Sequence, residues 1–318
     1  MVLVEASDLA RYEGAIPLML DVQQDRLKAR AIARTDLLLG QLLESVDLER
    51  DAVVVVGPYA TGESTALTVV GVHAPEVEPG LLSSGTTRRA GFVHTVDLAP
   101  TILSLVGLEP PSSMEGTLME RRGAGRESLE DRSRFLVEAD QAAKFRDRVL
   151  GVASTLFVLV QLVLWALALI TFSKGSRRLR TFAEVASLAV LAYLPVTYIA
   201  GALPFHQWGS GAYWAFVVGV SALLATVFYL ATRRELVTPL IVTLGFVVVF
   251  LSIDIVIGGP LQFNTVFGYT PTVAGRFHGM GNPAFSMFAA ASIILAALVA
   301  HRVGGRRGAW CGVALLGW

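Results

Sequence analysis

Residues 149–172 read VLGVASTLFVLVQLVLWALALITF and carry no charged side chain. A helix needs about 20 mainly apolar residues to cross the hydrocarbon core of a bilayer. This stretch meets that length and shows no polar face, which a long helix of a soluble protein would show. It therefore predicts a transmembrane helix, and the partner that it implies is the lipid bilayer.

Four apolar runs of similar length follow, separated by short polar loops. They predict spans at residues 182–203, 212–231, 237–258 and 284–301, with a partial sixth at 309–318. We expect residues 149–318 to form an all-α polytopic transmembrane bundle. Because the last run is too short to span and no signal peptide stands at the start, we expect the sequence to be a fragment of a longer protein.

The distribution of basic residues predicts the orientation of these spans. The loops at 173–181, 232–236 and 302–308 are rich in arginine, whereas the loop at 203–211 has no lysine or arginine and the loop at 259–283 has only Arg276. Basic loops stay in the cytoplasm. The sequence thus predicts a multi-pass protein of the cell membrane whose N-terminal part is extracytoplasmic. Trp208, Tyr213 and Trp214 are predicted to form an aromatic belt at the outer interface.

Composition narrows the possible partners and cofactors. The formal net charge is +0 and there is no basic tract with interleaved aromatic residues, so nucleic acid is excluded as a partner. The only cysteine is Cys311, which rules out a disulfide within the chain and a site built from several cysteines. The scarcity of lysine beside abundant arginine, alanine and glycine is typical of a GC-rich bacterial genome.

The N-terminal part has the pattern of a soluble α/β domain, predicted at residues 1–118 and followed by a charged linker or helix at 119–148. Leucines recur at helical spacing within residues 18–47, and buried strands are predicted at 53–56 and 67–72. A helix is expected to begin at Asp97, which would cap it, and to end at Gly107.

These elements and the string D-x-x-P-T-[IL]-L…G…P…M-x-G over residues 97–116 resemble the C-terminal part of alkaline-phosphatase-superfamily domains. That superfamily includes sulfatases, phosphodiesterases and cofactor-independent phosphoglycerate mutases. The residues that carry the resemblance are Asp36, Asp97, Pro100, Thr101, Gly107 and Gly116. The resemblance implies a partial alkaline-phosphatase-like domain and, where active, a hydrolase acting on phosphoesters.

Family members hold two divalent metals, often zinc, so the resemblance implies a divalent metal cofactor. The family's nucleophile and first ligands lie in a half of the fold that is not present in this sequence. Where an Asp-His pair is expected, the chain has Gly57, Pro58 and Tyr59, and the nearby His73 and His94 lack ligand spacing. The sequence therefore predicts no metal ligand, and a catalytically degenerate domain is an open alternative.

A second group of candidate residues lies around the loop at 259–283, which is rich in glycine and proline yet apolar. Such a loop is predicted to be re-entrant or to lie along the membrane surface. Asp254, in the outer third of the fourth span, is a candidate functional residue, because ionisable groups there are costly. Arg276 and His278 are predicted to approach it, and Asn282 is predicted to cap the fifth span.

Together these four residues are predicted to form an outward-facing substrate-binding pocket, in which arginine would bind phosphate or carboxylate. The alternative is a structural pair of Asp254 and Arg276 that locks the loop, with His278 exposed. Residues 267–282 also resemble a G-Y-x-P…[GA]-R-[FY]-x-G-x-G-N stretch of bacterial, in particular actinobacterial, multi-pass proteins that carry phosphatase-like domains.

Three functions remain open from the sequence. The first is a cell-envelope enzyme, or its degenerate remnant, with an extracytoplasmic phosphatase or phosphodiesterase-like domain. The second is a transporter or lipid-handling protein that binds an anionic lipid or a phosphorylated envelope substrate, with the soluble domain as a binding or regulatory module. The third is a purely structural envelope protein. The sequence contains no ATP-binding loop, because the lysine of that motif is missing after Gly62.

Overall fold

A computed structural model describes residues 2–57, 67–75, 77–122, 128–174, 176–233, 235, 237–273 and 277–316. The chain is mostly helical and divides into two compact units, Met1–Ser133 and Arg134–Trp318. Each unit is described by itself below. Pro58, Tyr59 and Arg276, which the sequence analysis singled out, lie outside the described residues.

The first unit begins with two helices, α1 (Asp8–Ala15) and α2 (Asp21–Leu43), which pack against each other. Strand β1 (Val53–Val56) pairs antiparallel with β2 (Val70–His73), and β3 (Leu81–Ser84) pairs antiparallel with β4 (Met119–Arg122). Helix α3 (Leu98–Leu105) lies between β3 and β4 in the chain.

The strand predicted at 53–56 is confirmed, but its predicted burial in an α/β sheet is wrong. The described strands form two separate two-stranded sheets, and such a ribbon leaves much of each strand open to solvent. Val55 and Val56 are accordingly 40% and 39% exposed. These small sheets give no support to an alkaline-phosphatase-like fold. Strand β4 also occupies part of the segment that was predicted to be a linker.

The second unit contains the helices of the apolar tract. They are α4 (Leu129–Lys174, whose first residues belong to the first unit), α5 (Arg177–Gly201), α6 (Phe205–Trp208), α7 (Ser210–Thr232), α8 (Thr238–Val256), α9 (Asn282–Val303) and α10 (Gly305–Leu316). Within the described residues, five of them, α4, α5, α7, α8 and α9, are long and apolar enough to cross a membrane. The prediction of a helical membrane bundle is confirmed at this level.

The predicted partial sixth span corresponds to α10, which folds back along α9. The reversal occurs at Gly304, whose φ of +70° is a conformation that glycine adopts without strain. A Cβ on Gly308 would lie 2.2 Å from the carbonyl oxygen of Ala300, so only glycine permits this close approach of the two helices.

Two apolar clusters hold the bundle together. One joins α5, α8 and α9 around Tyr198, Leu251 and Ala284. The other joins α4, α5 and α7 around Val196, Tyr213 and Val217. Tyr213 is only 3% exposed, and its ring makes edge contacts with Phe145 and Phe205 at centroid distances of 5.8 and 5.6 Å. The ring of Tyr213 is therefore covered by protein, and its place near the outer interface stays a prediction.

Candidate functional site

The polar site predicted around Asp254 begins where α8 ends. Gly258 and Gly259 have φ values of +97° and +64°, and they turn the chain into a short 3-10 segment at Pro260–Gln262. The carboxylate of Asp254, which is 1% exposed, accepts hydrogen bonds from the amide of Leu261 at 3.0 Å and from Nε2 of Gln262 at 2.9 Å. Asp254 thus closes the turn that follows its own helix.

Gln262 extends this network to the next helix. Its side chain is fully buried, and Oε1 accepts a hydrogen bond of 3.2 Å from the amide of Gly281, directly before α9. Its backbone oxygen accepts from the amide of Tyr269, whose own oxygen accepts from the amide of Asn264. A Cβ on Gly268 would lie 1.9 Å from the oxygen of Gln262, so the loop is tightly closed here. The loop is therefore compact and hydrogen-bonded along residues 262–269.

The residues that were predicted to form one pocket differ in their exposure. Asp254 is buried, while His278 and Asn282 are exposed, and Arg276 lies outside the described residues. Asn282 does not cap the fifth span, since α9 begins at Asn282 itself and Gly281 occupies the N-cap position. The extended backbone of Gly281 and a proline in the first turn account for this start. His278 and Asn282 remain surface-accessible members of the site.

Sequence reasoning missed the residue that holds the loop from the opposite side, Arg146 on α4. It is 8% exposed, and it donates through Nε to the oxygen of Thr265 at 3.0 Å and through a terminal nitrogen to that of Val266 at 3.4 Å. Its other terminal nitrogen contacts Asp147 at 2.8 Å, and Asp147 accepts from the hydroxyl of Thr272 at 2.8 Å. The loop is thus fixed to α4 as well as to α8.

A signal for Arg146 was present in the sequence, although the charged run around it conceals the pattern. Ala143, Arg146, Val149 and Ala153 recur at spacings of three and four, and all four are buried. An arginine that interrupts such an apolar face needs polar partners from another part of the chain, because a buried unpaired charge is costly.

The family-like string of the first unit forms a second buried polar network. The carboxylate of Asp97 is fully buried and accepts from the hydroxyl of Thr86 at 2.6 Å and from the amides of His94 and Thr117, both at 2.9 Å. The backbone of Asp97 is already helical, so its side chain does not cap α3 as predicted. Asp97 and His94 instead form a capping box for the short 3-10 turn Thr95–Asp97, in which Nδ1 of His94 accepts from the amide of Val96 and the carboxylate of Asp97 accepts from the amide of His94.

The other residues of the string have structural positions. Thr101 donates to the oxygen of Asp97 at 2.6 Å and accepts from the amide of Met119, which fastens β4 to α3, and Pro100 is buried in the same helix. Gly107 has a φ of +77° just after α3, so its predicted role in ending that helix is confirmed. A Cβ on Gly116 would lie 2.3 Å from the oxygen of Val96. Asp36, in contrast, is exposed on α2.

Among the described residues, no group of three or more His, Cys, Asp or Glu side chains is arranged to hold a metal ion. His73 contacts the backbone oxygen of Leu48 at 2.9 Å, and His94 is engaged in the helix cap. The buried carboxylate of Asp97 is surrounded by donors rather than by other ligand groups. The described part of the first unit is thus a hydrogen-bonded scaffold.

No protein-family model matches the chain, and no curated protein or solved structure matches it either. The class of the protein therefore comes from its own helices, five of which are long and apolar enough to make it a multi-pass membrane protein. Its most elaborate described polar site in the second unit is the loop between α8 and α9, fixed by Asp254, Gln262 and Arg146.

Proposed function

We propose that this protein handles lipids at the outer face of the cell membrane, binding an anionic or phosphorylated headgroup at the loop between α8 and α9. The N-terminal unit lies outside the cytoplasm and serves as a binding or regulatory module. The arginine-rich segments between alternate spans support this orientation.

One observation supports the proposal most strongly: buried polar side chains of α4 and α8 hold the irregular loop between α8 and α9 in place. Arg146 on α4 and Asp254 on α8 each bond to the backbone of the loop. Non-helical backbone at the ends of spans is tolerated where protein or a water-filled cavity satisfies it, and ionisable residues there mark ligand pathways. Two exposed polar side chains follow the hydrogen-bonded part of this loop, those of His278 and of Asn282 at the start of α9.

The orientation is tested by labelling single introduced cysteines in intact cells, after Cys311 is replaced by serine. A cysteine at exposed Thr95 or His278 is expected to react with a membrane-impermeant maleimide, and one at Arg233 is expected to react only after lysis. Labelling of position 233 in intact cells, with protection of position 278, would reverse the orientation and remove the outer-face assignment.

Headgroup binding is tested with the purified full chain by native mass spectrometry in mixed micelles. The anionic probe is phosphatidylglycerol and the zwitterionic probe is phosphatidylcholine. We expect preferential retention of the anionic lipid, and loss of that preference when His278 and Asn282 are both replaced by alanine. The matched control is His301→Ala, an exposed histidine at the opposite end of α9.

Equal retention of both lipids by the unmodified protein would contradict the proposal. Hydrolysis of a phosphodiester or phosphomonoester by the same preparation, with divalent metal added, would favour the enzyme hypothesis instead. The two assays therefore separate a lipid-binding protein from an active member of the phosphatase-like class.

A further inference from the structure

A small cavity lies inside the second unit, between α4, α5, the segment from α6 to the start of α7, and loop residues 264–266. Its volume is about 30 Å³. Three of its lining residues carry a buried polar side-chain atom: Oη of Tyr213, Nε2 of His206 and Oδ1 of Asn264. Within the described part of the chain, none of these three atoms has a hydrogen-bond partner.

Three unpartnered polar atoms around one cavity indicate an occupant. Each buried donor or acceptor without a partner costs about 1–3 kcal/mol, so leaving all three unsatisfied would cost much of a protein's stability. Tyr213 is 3% exposed, and its ring is held by Phe145 and Phe205, so the hydroxyl cannot turn to solvent. Asn264 is fixed as well, with a φ of +57° and its amide bonded to Tyr269.

The chemistry of the cavity favours a neutral hydroxyl group over an anion. Arg146 lines it, but the charge of this guanidinium is balanced by Asp147. The oxygen of Asn264 can only accept, whereas the Tyr213 hydroxyl and the His206 ring can each donate or accept. An occupant must therefore donate a hydrogen bond to Asn264, which a hydroxyl does and an ionised phosphate or carboxylate oxygen does not. A hydroxyl can also accept from Tyr213 or His206.

The size of the cavity limits the occupant further. A single water needs about 10–15 Å³ of such space, so 30 Å³ holds about two waters or a group of similar size. The rings of Phe145 and Phe205 supply an apolar wall beside the polar atoms. A hydroxymethyl group, with one carbon and one oxygen, matches both the volume and the mixed lining.

We propose that this cavity binds one hydroxymethyl group of a polyol, as found at the end of a glycerol headgroup. The inference rests on the proposed lipid-handling function and specifies the group of the headgroup that the protein recognises. Free glycerol carries the same hydroxymethyl group, so the test includes both the lipid and free glycerol.

The test compares two anionic lipids that differ in the hydroxyl groups alone, phosphatidylglycerol and phosphatidylpropanol. With the full chain in mixed micelles, native mass spectrometry is expected to show a preference of about threefold to tenfold for phosphatidylglycerol, the value of one or two neutral hydrogen bonds. Tyr213→Phe removes the unpartnered hydroxyl and keeps the ring, so this preference is expected to fall close to one.

Tyr193→Phe is the matched control. Its hydroxyl is also buried and without a partner among the described residues, but Tyr193 is not part of the cavity lining, and its ring stacks on Phe157. The preference should survive this change. Ala142→Leu is the second variant, since it fills the cavity and leaves every polar group in place. It should abolish the preference as Tyr213→Phe does.

The outcomes separate this inference from the proposed function. Equal binding of the two anionic lipids by the unmodified protein, or a preference that persists in Tyr213→Phe and Ala142→Leu, would overturn the cavity assignment and leave anionic lipid binding intact. Protection from unfolding by free glycerol alone, lost in Tyr213→Phe, would support the cavity chemistry and overturn the lipid source. Binding of neither lipid nor glycerol would overturn both.

Discussion

Two buried aspartates, Asp97 in the first unit and Asp254 in the second, both stabilise irregular backbone, but they differ in how far away in the sequence their hydrogen-bond partners lie. Each carboxylate fastens irregular backbone to a helix. Asp97 accepts from Thr86, His94 and Thr117, so it joins segments up to 20 residues apart. Among the described residues, the carboxylate of Asp254 accepts from Leu261 and Gln262, within eight residues, and the neutral Gln262 side chain contacts Gly281 in turn.

The two units differ in the range of contacts that a buried carboxylate makes. In the first unit, whose sheets are small, the carboxylate of Asp97 joins three segments of the chain. In the second unit, the charged Asp254 contacts the turn that follows its own helix. The neutral side chain of Gln262 makes the contact that is longer in sequence, to Gly281. An amide costs less to bury than a carboxylate, so this division limits the desolvation penalty.

The largest effect is expected from Asp97→Ala. The change leaves two backbone amides and one hydroxyl without their acceptor, and hydrogen bonds to a charged group are each worth about 1.5–3 kcal/mol. We expect a loss of about 4 kcal/mol, measured as protease susceptibility of the first unit in increasing urea. The control is Asp36→Ala, which removes an exposed carboxylate of the same family-like pattern and should change stability by less than about 0.5 kcal/mol. Equal effects of the two changes would show that the network is not what stabilises this unit.

The second effect in size is expected from Asp254→Ala, which frees the backbone amide of Leu261 and the side-chain amide of Gln262. We expect a loss of about 3 kcal/mol in equilibrium unfolding in mixed micelles, smaller than for Asp97 because one donor fewer is affected.

The exchange variant Asp254→Asn with Gln262→Glu sharpens this comparison. It moves the carboxylate to position 262, where it can accept from the carboxamide introduced at position 254 and from the backbone amide of Gly281. If Asp254 acts as a loop-closing group, the exchange should recover at least half of the stability lost in Asp254→Ala. A role in ligand chemistry would instead leave stability intact in Asp254→Ala and abolish headgroup binding in both variants.

The sequence predicted the apolar helices well, because the thickness of the bilayer sets the length of a span and hydropathy reports it directly. It predicted the end of α3 at Gly107 because a left-handed glycine after a helix is a local feature, but the cap that it assigned to Asp97 was wrong. It did not reveal the pairing of β3 with β4, since the two strands are short and lie more than 30 residues apart. Nor did it reveal that the ring of Tyr213 is covered by protein, because an aromatic residue at a span end fits an interface as well as a core.

The candidate site was predicted only in part, for a similar reason. Asp254 stands out as a charge in an apolar run, but its partners are an amide of the next turn and the side chain of Gln262. A neutral glutamine in a loop carries no sequence signal of full burial. Arg146 lies beside other charged residues that conceal its place on the buried face of α4, and its contacts with Thr265 and Val266 distinguish it from the exposed Arg148.

That distinction gives the third prediction. Arg146→Lys keeps the charge but loses the planar group that reaches Asp147 and two loop carbonyls together. We expect a loss of about 2 kcal/mol and faster proteolysis of the loop after Val266, because two buried carbonyls lose a charged donor. Arg148→Lys, two residues away and exposed, should behave like the unmodified protein. A tolerated Arg146→Lys would mean that the loop is held to α8 alone.

The smallest effect tests how closely the loop meets α5. A Cβ on Gly201 would lie 2.0 Å from Cγ2 of Thr265, so Gly201→Ala should destabilise the bundle by about 1–2 kcal/mol, as over-packing does. Gly219→Ala on α7 meets nothing within 4 Å and should be neutral or stabilising by up to about 1 kcal/mol.

Adding Thr265→Ser to Gly201→Ala removes the clashing methyl group and keeps a hydroxyl near the oxygen of Gln262. Recovery in this double variant, measured by unfolding in mixed micelles, would locate the strain at that contact. A double variant as unstable as Gly201→Ala would place it in the backbone of the helix end instead, and the loop would then be held mainly by Arg146 and Asp254.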